Sequence, residues 1–142
     1  MQPGTEKILA KALAAVAVAR SYRERGALDL AAGRCFYAML HAARAVLNER
    51  GVRARTHTGV SAALRDLAGL PNDFAVFAEW LDAALCRRAA GVDAADPVES
   101  EVQAWIERAA AFTAGAATVV AGSTKQSGGD ECVCRDQPNS RP

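Results

Sequence analysis

Breaks in the chain limit its fold more than any other feature. Gly26, Gly51, the Gly69-Leu70-Pro71 run, Gly91 and the Asp96-Pro97 pair divide it into lengths in which apolar residues recur every three or four positions. That period belongs to helices rather than strands. Alanine is the commonest residue between the breaks and aromatic residues are few, so propensity points the same way. The spacing predicts a first helix over residues 5–22, with Thr5 as its N-cap and Leu9, Leu13, Val16 and Ala19 at helical intervals. A longer helix follows over 28–49, closed by Gly51. After a basic loop at 52–56, Thr58 is placed to cap a short third helix reaching Leu67 or Ala68. Asn72 or Asp73 opens a fourth, which ends near Ala90 and is followed by a turn over 91–95. Asp96-Pro97, a cap followed by proline, then opens a fifth helix reaching about Val120. Gly33 interrupts the second helix at a cost of about 1 kcal/mol against alanine, which predicts close approach of another helix there. The expected fold class is all-α, an up-down bundle of four to five helices.

At 142 residues the chain is long enough for one core, and residues 1–122 form the expected domain. From Ser123 onward Gly, Ser, Asp, Asn and Pro dominate, which predicts a disordered tail over 123–142. The most apolar stretch, 109–122, is shorter than a membrane span, and no basic segment followed by a long apolar run opens the chain. A cytoplasmic protein with no membrane partner is expected. Cys35 and Cys86 lie in apolar helical patterns, where a thiol packs as a small hydrophobe. Cys132-Val133-Cys134 has no neighbouring His or second Cys pair to complete a zinc site, so neither a metal nor a cofactor is expected. The net charge of +1 conceals an uneven distribution: nine arginines against three acids between residues 20 and 65, then nine acids against two arginines between 66 and 107. Either the basic half meets an anionic partner, or the halves pair within the fold.

Arg34 and His41 stand seven residues apart on the second predicted helix. That is nearly two turns, so both project from one face about 10 Å apart along the axis. Tyr37 and Arg44 extend the stripe, while Phe36, Leu40, Ala43 and Leu47 fall on another face. On an arbitrary bundle such a stripe is most often a solvated surface. Here it sits inside a longer pattern. The run from Gly26 to Leu47, with Arg34-Cys35-Phe36-Tyr37-Ala38-Met39-Leu40-His41 at its centre, resembles the core segment of the HEPN family. In that family an Arg is followed, after four to six residues, by a His on the second long helix. Arg55-Thr56-His57-Thr58-Gly59 resembles the Thr-His-Ser/Thr-Gly segment of the family's small stand-alone bacterial branch. The resemblance spans roughly residues 5–120, with its specific motifs between 26 and 60.

The resemblance implies an RNA-binding protein, a metal-independent endoribonuclease that acts as a toxin beside a nucleotidyltransferase-like antitoxin. It implies Arg34 and His41 as the catalytic pair, and Tyr37, Arg44, Arg55 and His57 as RNA contacts. Such cleavage uses the neighbouring 2′-hydroxyl as nucleophile, so a His can move the protons while an Arg steadies the phosphate. One His cannot perform both proton transfers at once. A homodimer is therefore implied, with two copies facing one cleft. His57 has a second reading: between two threonines it can cap the third helix, and this reading is the favoured one. Three positions depart from the pattern. Cys35 stands where many active relatives carry Asn, Asp or His, residues 87–93 lack the tyrosine of an Asp-Tyr pair on the fourth helix, and Ala43 replaces a tyrosine that partner nucleotidyltransferases modify in another branch. The first departure supports an alternative, a catalytically inactive HEPN module that binds nucleotide, RNA or a partner protein. In a third reading, a plain helical interaction protein, Arg34 and His41 form an internal structural pair.

Overall fold

The computed structural model describes residues 1–91 and 95–134, with side chains as far as residue 122. It contains α1 (Thr5–Glu24), α2 (Leu28–Glu49), α3 (His57–Asp66), α4 (Asp73–Ala90) and α5 (Glu99–Cys134), and no strand among the described residues. The fold is the expected all-α bundle. Its organising element is α2, which packs against all four other helices. Met39, Leu40, Val46 and Leu47 of α2 meet a core completed by Val16, Val60, Leu64, Leu81, Ile106 and Phe112, all at least 96 % buried. Burying such a side chain fully contributes about 1.5–3 kcal/mol. Ala12 and Ala19 of α1 and Ala31, Ala38, Ala42 and Ala45 of α2 are fully buried, and side chains this small let helix backbones lie close.

Helix ends follow local chemistry. Gly26 and Gly51, with φ of +76° and +73°, lie one residue beyond the C-caps Arg25 and Arg50. There the amides of Ala27 and Val52 donate to the carbonyls of Tyr22 and Leu47 at 2.9 Å, satisfying groups each helix leaves open. Three predicted starts move. Gly4, not Thr5, is the N-cap of α1; Thr5 is fully buried, its hydroxyl accepting the Asn48 amide at 2.8 Å, so a tertiary partner replaces the capping role. Thr56, not Thr58, caps α3, its hydroxyl accepting the Gly59 amide at 3.0 Å. α5 begins at Glu99, two residues after Pro97, and the Val98 carbonyl accepts the first helical amide from Val102 at 3.0 Å.

α5 also runs past Val120 to Cys134. Once nucleated, a helix gains one hydrogen bond per added residue, and the expected tail is helical over 123–134. Residues 135–142, like 92–94 of the expected turn, lie outside the described residues. Gly33 is not pressed by another helix, since no atom lies within 4 Å of where its Cβ would stand. Arg23–Glu99 at 2.8 Å, Arg65–Asp82, and Arg87–Glu101 at 3.3 Å tie the helices together. The first two join the basic half to the acidic half, so part of the charge asymmetry is consumed inside the fold. Cys35 is buried, whereas Cys86 is exposed, on the solvent side of α4. Among the described residues no helix is long and apolar enough to cross a membrane, and no group of three or more His, Cys, Asp and Glu side chains could hold a metal.

Candidate functional site

Between Arg34 and Asn48, α2 opens along one line only. Arg34, Tyr37, His41, Arg44 and Asn48 are half-buried, and every residue between them is buried. The steps of three and four residues trace a single stripe down a helix otherwise enclosed by its neighbours. A polar side chain elsewhere on this part of α2 would face desolvation without a partner. The stripe is therefore where this helix can carry chemistry.

Aromatic rings order its charged groups. The Arg34 guanidinium lies 4.7 Å from the centroid of the Tyr37 ring. Arg88, from α4, approaches the same ring at 4.8 Å and that of Phe36 at 5.0 Å. Cations held this way lose little of their charge to a partner and remain available to an anion. Tyr37 in turn stacks on His41, with centroids 6.3 Å apart and planes inclined by 28°. Phe36 is buried beneath, edge-on to Tyr37 at 5.2 Å and to His57 at 5.4 Å.

His57 thus joins the cluster as the first residue of α3 and does not cap it. The capping role belongs to Thr56, whose hydroxyl is the better acceptor at that position. Gly59 makes this geometry possible, because a Cβ there would lie 2.8 Å from the Thr56 Oγ1. In Thr56-His57-Thr58-Gly59 the first residue caps, the last leaves room, and the His is set against Phe36. The structure brings Arg34, Tyr37, His41 and His57 together, and Arg44 acts on His41 through its charge. Arg55 is exposed in the loop before α3, apart from these contacts. Two cations were not singled out from sequence: Lys11 on α1 and Arg88 on α4. Arg88 had a signal in the Arg87-Arg88 pair near the end of the fourth predicted helix; Lys11 had none.

Burial, followed by the charges of Lys11, Arg44 and Arg34, holds the His41 imidazole below its ordinary pKa of 6.5. Every charge acting on it has the sign the protonated ring would carry. His41 is accordingly a neutral base at pH 7, inside a field that favours anions. Cys35 takes no part. Its thiol is 1 % exposed and burial pushes its pKa up to about 12 against the opposing charge of Arg20, so it stays protonated in the core. Among the described residues neither Arg34 nor Arg88 has a carboxylate within ion-pair distance. The arrangement can hold a phosphate beside a proton acceptor.

The family model of the HEPN domain matches residues 5–117, from the start of α1 through most of the packed part of α5. No curated protein matches the chain.

Proposed function

The chain belongs to the HEPN domain family, whose members serve as nuclease and RNA-binding modules, and from that membership we propose that it binds RNA and cleaves it as a metal-independent endoribonuclease. The observation that carries this reading is the half-buried stripe, in which a neutral His41 lies among guanidiniums that have no carboxylate partner among the described residues. In the proposed reaction Arg34 and Arg88 hold the non-bridging oxygens of one phosphate. His41 takes the proton of the adjacent 2′-hydroxyl, whose oxygen bonds to phosphorus as the bond from phosphorus to the 5′-oxygen breaks. The leaving oxygen accepts a proton, giving a 2′,3′-cyclic phosphate and a free 5′-hydroxyl. That proton comes from the second His41 of a homodimer. Bound phosphate offsets the charges of Lys11, Arg34 and Arg44, so the second imidazole can be protonated once RNA is present. Tyr37 and His57 contact bases, and Arg44 and Arg55 contact further phosphates of a single strand.

The biological role proposed is that of a toxin paired with a nucleotidyltransferase-like antitoxin. Ala43 is fully buried and offers nothing to modify, so such a partner would silence the site by covering it. The test is incubation of the purified protein with single-stranded RNA in excess chelator, beside an Arg34→Ala, His41→Ala double variant. Cleavage that leaves cyclic phosphate ends and vanishes in the variant is expected. Equal cleavage by both proteins, or products with free 3′-hydroxyls, would overturn the reading. One observation favours a second reading: with Cys35 in the core, no polar side chain follows Arg34 into the cleft. A catalytically inactive module binding nucleotide, RNA or a partner protein would then lose RNA affinity in the double variant, with no cleavage to lose.

A further inference from the structure

Beside the stripe lies a cavity of about 500 Å³ between the first turns of α2, the last turn of α4 and the start of α5. It shares Phe36 and Arg88 with the cluster around Tyr37, so the two spaces adjoin. Gly33 forms part of its wall, and the open space where its Cβ would stand belongs to this cavity, which accounts for a glycine that no helix presses. Trp105, 9 % exposed and with the Arg108 guanidinium 5.0 Å from its ring, also lines it. The size falls within the range of small-molecule sites, about 300–1,000 Å³.

Charge separates the cavity from the stripe. Arg87 and Arg88 in its lining are matched by Asp29 and Asp96, and Arg87 is already held by Glu101 and the Ala95 carbonyl, each at 3.3 Å. The stripe, in contrast, gathers Lys11, Arg34 and Arg44 around His41 with no acid acting on it. An anionic phosphate therefore belongs on the stripe, and a neutral, flat, hydrogen-bonding group belongs in the cavity. Arg88 stands at the junction. Among the described lining residues the carboxylates of Asp29 and Asp96 are side-chain acceptors with no ion pair, and a carboxylate selects for N–H donors. Guanine is the RNA base that presents two adjacent donors, N1–H and N2–H, on one edge; adenine and cytosine pair a single amino group with an acceptor, and uracil flanks one N–H with carbonyls.

We propose that this cavity is the base-specificity subsite of the RNA site, taking a guanine next to the phosphate held by Arg34 and Arg88. The proposal deepens the ribonuclease reading and rests on it for the phosphate's position. Arg88 and Trp105 would border the base, Asp29 or Asp96 would accept its two N–H groups, and Gly33 would give it room.

The test is calorimetric titration of the full-length protein with the 5′-monophosphates of guanosine, adenosine, cytidine and uridine. The guanosine compound is expected to bind about tenfold more tightly than the others, because guanine alone offers a carboxylate two N–H donors on one edge. Gly33→Leu projects a branched side chain into the cavity and improves helix propensity; it should abolish that preference without lowering the melting temperature. The Asp29→Asn, Asp96→Asn double variant keeps the cavity's volume and should also lose the preference, which covers the case of a poorly folding Gly33→Leu. Equal binding of the four nucleotides, or guanosine selectivity unaltered in these variants, would overturn the subsite. Cleavage of RNA with no base preference, unaffected by Gly33→Leu, would sink the subsite and leave the nuclease standing. Guanosine selectivity without cleavage would do the reverse.

Discussion

Lys11, Arg34 and Arg44 surround His41 with charge of the sign it would carry if protonated, and burial adds to the penalty. As pH falls, the unfolded chain therefore takes up this proton first, at the ordinary value near 6.5. The stability His41 contributes is present above that value and is lost as pH falls from there through its lower folded-state pKa. Thermal melts from about pH 8 to about pH 5 should show the wild type losing more stability than His41→Gln. Parallel losses would mean that His41 is not held in the neutral form. Much of this site was legible in the sequence, because four polar residues at helical spacing mark a face before any contact is known. Lys11 was not legible and Arg88 only as one of the Arg87-Arg88 pair, since both act on the stripe from other helices. The identity of the α3 cap was also hidden: Thr56 and Thr58 both flank His57, and only the bond from the Gly59 amide distinguishes them.

The helices themselves could be read from their breaks, but their ends could not be placed to the residue. Glycine and proline mark where a helix must stop. Whether Thr5 caps α1 or packs against Asn48 depends on where α2 lies, which no local pattern records. Two glycines inside helices make the same point, since one stands in open space and the other against a ring. Gly33→Ala places a Cβ where nothing lies within 4 Å, and should raise stability by up to about 1 kcal/mol. Gly115→Ala places one 2.7 Å from the Phe77 Cε2, in a ring stacked on Phe112 at 4.8 Å. Overpacking of that kind costs about 1–3 kcal/mol. Urea midpoints should therefore move in opposite directions, and a loss from Gly33→Ala would place an unrecognised contact at that site.

Across the whole molecule, one helix does two jobs. α2 holds the bundle together by packing against every other helix, and its single open line carries the chemistry. The proposed reaction takes its second proton-transfer group from the His41 of another chain, so it needs two chains. Sedimentation equilibrium at micromolar concentration should show a dimer; a strict monomer would remove the second imidazole and the mechanism with it. The most direct measurement is the rate of RNA cleavage by the wild type, Arg34→Ala and His41→Ala under single-turnover conditions, with the melting temperature of each taken alongside. His41→Ala should slow cleavage by about two to four orders of magnitude, the usual worth of a positioned acid or base. Arg34→Ala should slow it at every pH, because an arginine stays charged throughout that range, and should raise the His41 pKa, since the Arg34 charge helps to hold that value down. Neither should lower the melting temperature substantially, since both side chains line an open stripe. The contradicting result is a wild type that cuts no RNA and a His41→Ala variant that melts far below it, which would make His41 a structural residue of the bundle.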